Sequence, residues 1–117
     1  MMHELSIALA LIDVAAAESR RAGATRVSRV RCRVGELRQI EDALLREAFD
    51  VAREGTCCGA AELIIEKAPL RAWCPRCRAA FAVQQWRWNC PECGVEGEPR
   101  AGGDELELLS IDVEAPT

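Results

Sequence analysis

Three patterns in this 117-residue chain predict an α+β fold with a small cysteine-rich lobe inserted before the last strand. Two stretches repeat apolar residues at helical spacing, and three others read as strands, two of them by alternation. Two Cys-Pro-x-Cys turns lie between the second and third of those strands.

The first helix is read from Leu5, Ala8, Leu9, Ile12, Ala15, Ala16 and Ser19, with Asp13, Glu18, Arg20 and Arg21 mostly off that stripe. Gly23 stops it after Arg20-Arg21, whose cations suit the carbonyl end of the dipole. Val30, Cys32 and Val34 then alternate with Arg29, Arg31 and Arg33 as a half-buried strand ended by Gly35, which makes Cys32 a small buried hydrophobe. A second helix runs from about Glu41 to Glu54, with Leu44, Leu45, Ala48, Phe49 and Ala52 on one face and Gly55 as its stop. Glu41 and Asp42 fall in its first turn, where carboxylates complement the exposed amide dipoles.

A second strand at residues 62–67 ends before Pro69. After a Gly102-Gly103 turn, Leu109, Ile111 and Val113 alternate with Ser110, Asp112 and Glu114 as the third. The simplest assembly is a three-stranded mixed sheet with two helices on one face. Residues 1–70 and 104–117 form that α/β lobe, and residues 71–103 form the insertion.

Within the insertion, Cys74-Pro75-Arg76-Cys77 and Cys90-Pro91-Glu92-Cys93 are separated by twelve residues. Two such turns place four thiolates tetrahedrally around one zinc ion, as in a zinc ribbon. Four sulfurs leave no open position, so the site is structural. Each Pro stiffens its turn by removing freedom from the unbound chain. Phe81, Val83, Trp86 and Trp88 are expected to shield the metal and pack against the other lobe; stacking on nucleic-acid bases is the alternative use.

Seven cysteines is an odd number, and four are committed to metal, leaving Cys32, Cys57 and Cys58. That usage suits a reducing cytoplasm better than a disulfide framework. The apolar start at residues 5–17 lacks the cationic region of a signal peptide, follows His3 and Glu4, and is interrupted by Asp13. No run is long enough to span a bilayer.

The formal charge is −4 with thiols neutral, and a divalent ion on four thiolates takes it to −6. So acidic a chain lacks general attraction for a phosphate backbone, although Arg29, Arg31 and Arg33 make a local basic row. A zinc-ribbon adaptor for nucleic acid or protein is therefore the alternative function. One histidine, no phosphate-cradling glycine loop and no open zinc position argue against an enzyme.

That histidine, His3, precedes Glu4 at the head of the first helix. An imidazole, a neighbouring amide nitrogen and a carboxylate form an N/O donor set that suits Ni(II) or Cu(II), whereas the thiolate set suits zinc. The two sites can thus separate two metals by ligand type.

Met2-His3-Glu4-Leu5-Ser6, Val34-Gly35-Glu36-Leu37, Ala48-Phe49 followed by Glu54-Gly55-Thr56, and the paired cysteine knuckles before a Leu-rich end together resemble the HypA/HybF family of hydrogenase maturation nickel metallochaperones. The similarity covers essentially the whole chain. It implies an N-terminal nickel lobe and a four-cysteine zinc lobe, with no enzymatic activity. It also implies delivery of nickel to the large subunit precursor of nickel-iron hydrogenase, a HypB-type GTPase partner, and in some members service to urease maturation proteins. Carried over by position, His3 and Glu4 match the nickel ligands and Glu41 a further acidic ligand, with helix capping the alternative role for Glu41. Cys74, Cys77, Cys90 and Cys93 match the zinc ligands.

The chain departs from the family pattern in three places. It begins Met1-Met2-His3 rather than Met-His-Glu, so a terminal amine, where it is a ligand, would be moved out of reach of the usual chelate ring. Arg78 stands where a glycine often follows the first knuckle. Cys57-Cys58 has no family counterpart and reads as a pair of loop thiols, with an additional soft-metal site as the alternative.

Overall fold

The structure, a computed structural model, describes residues 3–114. In chain order its elements are α1 (Glu4–Arg21), β1 (Val27–Gly35), α2 (Asp42–Ala52), β2 (Glu62–Ala68), β3 (Leu70–Cys74), β4 (Ala79–Val83), β5 (Glu98–Pro99) and β6 (Leu106–Val113). A three-stranded mixed sheet has the order β2-β1-β6, with two helices covering it, and a second sheet has the order β4-β3-β5. The chain divides into two compact units. One takes the described residues up to 33, 40–66 and from 106; the other takes 34–39 and 67–105.

In the first unit α1 packs on α2 and on β6. Its buried stripe is Ile7, Ala8, Leu11, Ile12, Ala15 and Ser19. This corrects the expected stripe, because Leu5 and Leu9 are 44% and 49% exposed. With apolar residues at nearly every position of 5–17, periodicity admits two neighbouring faces, and packing selects the one carrying Ile7 and Leu11. Ser19 is buried because its hydroxyl donates to the Ala24 carbonyl at 3.0 Å, which satisfies it as the chain leaves the helix. From α2, Leu45 and Phe49 are buried, whereas Leu44, also expected on that face, is 45% exposed. Burying each large side chain contributes about 1.5–3 kcal/mol.

Val27, Val30 and Cys32 are fully buried in β1, so Cys32 serves as a core residue. Residues 28–33 pair antiparallel with β6: the Ser28 hydroxyl donates to the Asp112 carbonyl, and Arg29 and Arg33 meet Asp112 and Glu107 at 3.2 and 3.4 Å. Arg29 also lies 3.5 Å from Glu62. Carboxylates thus offset two of the three arginines in the basic row, although each exposed pair is worth only about 0–1 kcal/mol.

The second unit contains strands that the sequence reading left out. Pro69 ends β2, but the chain restarts at once as β3, which pairs antiparallel with β4 from Leu70↔Val83 to Cys74↔Ala79. Leu70, Ala72 and Val83 form a small core, and Phe81 and Trp88 pack against it half-buried. Trp86 is a correction, being 56% exposed at a hairpin tip where Gln85 and Trp86 adopt φ of +53 and +61. Arg87 donates its N–H to the Gln84 carbonyl at 3.0 Å, closing a two-residue turn whose central residues need positive φ. The turn sends Trp86 outward. Trp73 instead lies under the Arg100 guanidinium, 4.6 Å from its ring centre.

Gly35 ends β1 with its N–H donated to the Glu105 carbonyl at 2.7 Å, and Leu37 N–H is bound by the Gly103 carbonyl. A Cβ at Gly35 would overlap the Gly103 backbone. Neither partner is a flexible side chain, so nothing gives way cheaply. Gly35→Ala is expected to lower stability by at least about 1–3 kcal/mol, measured by urea unfolding of the metal-loaded protein. A wild-type midpoint would show that this close approach is not needed.

Candidate metal centre

The knuckles are built by local geometry. β3 delivers Cys74, the chain turns through Pro75 and Arg76, and the Arg78 N–H donates back to the Cys74 carbonyl at 2.8 Å. In the second knuckle Gly94 N–H donates to the Cys90 carbonyl at 2.9 Å. Both closures need a left-handed residue in fifth place. Gly94 supplies φ +80 without penalty, and Arg78 is held at +54. The arginine found where glycine is common therefore keeps the same turn, and no ligand is displaced.

The sulfurs of Cys74, Cys77, Cys90 and Cys93 all lie within 4.8 Å of one another. Cys74 and Cys93 are 3.5 Å apart, and Cys77 and Cys90 are 3.9 Å apart. A tetrahedral zinc–thiolate centre with bonds of about 2.3 Å has sulfur–sulfur edges of about 3.8 Å. The residues present therefore fit zinc in number, chemistry and spacing. Cys74 and Cys90 are buried, Cys93 is half-buried and Cys77 is exposed.

Proton competition follows from this crowding. The Cys77 backbone N–H, 3.2 Å from the Cys74 sulfur, is the largest cause holding that thiol down at about 7. Cys77 is pushed up to about 12, first by its contact with Cys93. The metal must displace protons from both.

Among the described residues this is the one convergence of three or more metal-ligating side chains. His3, Glu4 and Glu41 do not gather into another, and Met1-Met2 lies outside the described residues. His3 is the exposed residue preceding α1, with extended backbone (φ −120, ψ 177) and no capping bond from its imidazole. Its carbonyl accepts the Ile7 N–H at 3.2 Å. Glu4 is half-buried in the first turn, where the leading amides of a helix have no intrahelical acceptor. Glu41 takes the equivalent place before α2, exposed and with no side-chain capping bond. Capping of α2 by that carboxylate, the alternative role for it, is not realised.

Chelator competition should show metal affinity falling steeply as pH drops below about 7. There Cys74 joins Cys77 in its protonated form, so one more proton must be displaced. A flat profile from pH 8 to about 6 would contradict thiolate ligation. Arg78→Gly is expected to raise stability by about 0.5–1 kcal/mol, because relief of the left-handed strain of about 1–2 kcal/mol exceeds glycine's added entropy cost. Thermal melting at unchanged metal content checks this.

A family model described as "Hydrogenase/urease nickel incorporation, metallochaperone, hypA" matches residues 2–113. The hydrogenase maturation factor HypA of Chloroflexus aggregans is 38% identical over 112 residues, covering 95% of this chain and 98% of the relative. That of Chlorobium limicola is 40% identical over 113 residues, covering 97% of each. The solution structure of the Ni metallochaperone HypA from Helicobacter pylori superposes with a TM-score of 0.67 at 26% identity, over 98% of this chain and 100% of that one. The matched stretch runs from before His3 through both knuckles to the end of β6, and on that ground the chain belongs to the HypA family of hydrogenase maturation factors, which are metallochaperones and not enzymes.

Proposed function

We propose that the chain is a nickel carrier that helps insert Ni(II) into the large subunit precursor of nickel-iron hydrogenase, while zinc on Cys74, Cys77, Cys90 and Cys93 keeps the second unit folded. The observation that carries the nickel reading is the placement of His3 and Glu4. An exposed imidazole uncommitted to capping precedes a first-turn amide with no intrahelical acceptor. The imidazole of His3, the amide nitrogen and carboxylate of Glu4, and the carboxylate of Glu41 are the proposed donors, an N/O set that suits Ni(II).

The helix end also suits release. Its partial positive charge opposes a bare dication but favours an amide nitrogen that has lost its proton. Nickel therefore binds only with deprotonation, and ligand exchange with the client frees it. A ligating imidazole must be neutral, so loading weakens on acidification.

A HypB-type GTPase is the proposed partner, and urease maturation proteins are further candidate clients, in keeping with the matched family description. No described helix is long and apolar enough to cross a membrane. The thiol-rich, metal-binding composition supports a cytoplasmic setting. The adaptor reading loses its electrostatic motive because Arg29 and Arg33 face carboxylates.

In equilibrium dialysis at neutral pH, His3→Ala should weaken nickel binding by at least about tenfold, by analogy with the loss when a metal site's support is removed, and leave zinc content unchanged. Equal nickel affinity in wild type and variant would remove His3 from the site and this account with it.

A further inference from the structure

Cys57 and Cys58 follow one another in the loop between α2 and β2, with their sulfurs 3.9 Å apart. The loop is held in place. Thr56 hydroxyl donates to the Arg53 carbonyl at 2.6 Å and accepts the Cys58 N–H at 3.1 Å, while the Cys57 carbonyl accepts the Val27 N–H at 2.9 Å. Ala61 N–H donates to the Cys58 carbonyl at 3.0 Å. Backbone on both sides of the pair is therefore committed, and the two thiols keep their relative placement.

The two sulfurs differ in access. Cys58 is fully buried, whereas Cys57 is half-buried and lines an open cleft of about 560 Å³ with Thr25, Arg26, Thr56 and Gly59. A reagent entering that cleft meets Cys57 first. Arg26 lines the same cleft, its guanidinium 3.9 Å from the Glu114 carboxylate. No third ligating side chain converges on the pair among the described residues, which leaves a two-sulfur site with a closed inner wall rather than a metal cage.

We propose that Cys57-Cys58 is a redox modification site at which a hydroperoxide oxidises Cys57 and Cys58 then closes on it, forming a disulfide between adjacent residues. In the first step the Cys57 thiolate attacks the outer peroxide oxygen. The O–O bond breaks, the sulfur becomes a sulfenic acid, and the oxidant leaves as an alkoxide, or as hydroxide from hydrogen peroxide, that takes a proton from solvent to give an alcohol or water. In the second step the Cys58 sulfur attacks the Cys57 sulfur, the S–O bond breaks, and hydroxide leaves with the Cys58 proton as water. Two electrons pass from the two thiols to one peroxide bond.

Burial pushes the Cys58 thiol up to about 12, with the neighbouring Cys57 charge adding to it, so Cys58 must give up its proton as it attacks the oxidised Cys57 sulfur. Adjacent Cα atoms are about 3.8 Å apart, short of the range of about 4.4–6.8 Å usual for disulfides. The closed ring is strained, which makes it easy to reduce and the modification reversible.

The metal-loaded full-length protein is treated with stoichiometric hydrogen peroxide, alkylated and digested with trypsin. The product spanning residues 54–67 follows Arg53, ends at Lys67 and contains no other cysteine. Expected is loss of two hydrogens from that peptide, with no alkylation, before zinc is released, and full reversal by mild dithiol reduction. The Val27 amide should also lose hydrogen-exchange protection as the loop strains. Cys57→Ser, at the half-buried position, should abolish the change while keeping the native melting curve. A peptide alkylated on both sulfurs after the zinc cysteines have oxidised would overturn the proposal. So would further oxidation of Cys57 without ring closure, or linkage to a second chain.

Discussion

Four sulfurs within 4.8 Å of one another cannot all carry charge unless a cation lies among them, and the second unit is organised around that demand. Its own apolar cluster is small: Leu70, Ala72 and Val83 are buried, with Phe81 and Trp88 packed at the edge. Such a core offsets little of the conformational entropy of some forty residues. A metal on the four sulfurs would supply the remainder by joining the β3–β4 hairpin to the second knuckle. The strained turn residues fit this picture, since Arg78, Gln85 and Trp86 sit at positive φ in tight reversals that a short, metal-stapled chain requires.

The contrast with the head of α1 is one of donor chemistry and accessibility. The thiolate set is enclosed at Cys74 and Cys90, complete in number and closed to a further ligand. His3 and Glu4 lie at the start of a helix, exposed and half-buried, with donors that harder and borderline cations accept. In the proposed function one ion is held as part of the fold and another can be exchanged. That separation is what a carrier needs, because a cargo site that also maintained the fold could not be emptied without unfolding it.

The remaining thiols follow the same logic of surroundings. Cys32 is buried in β1 among Val27, Val30 and Val34 and behaves as core. Cys57 and Cys58 share a loop, but one faces a cleft and the other the interior. Reactivity in this chain is therefore set by exposure and neighbours rather than by the number of cysteines.

Local spacing determined a large share of this protein. The Cys-x-x-Cys intervals named the four cysteines whose sulfurs converge, because each knuckle closes within five residues by its own backbone hydrogen bonds. Apolar periodicity and Gly23 placed both helices within a residue or two, and strand alternation placed β1 and β6. Tertiary structure decided what short-range pattern leaves degenerate. It turned Ile7 and Leu11 inward and left Leu5 and Leu9 at the surface, a choice made by what α1 packs against. It restarted the chain after Pro69 as a strand, since β3 exists only through pairing with β4 and β5. It also set Gly35 against Gly103 and sent Trp86 outward from its hairpin tip. Those outcomes depend on residues distant in sequence or on a turn's three-dimensional direction, and no periodicity encodes either.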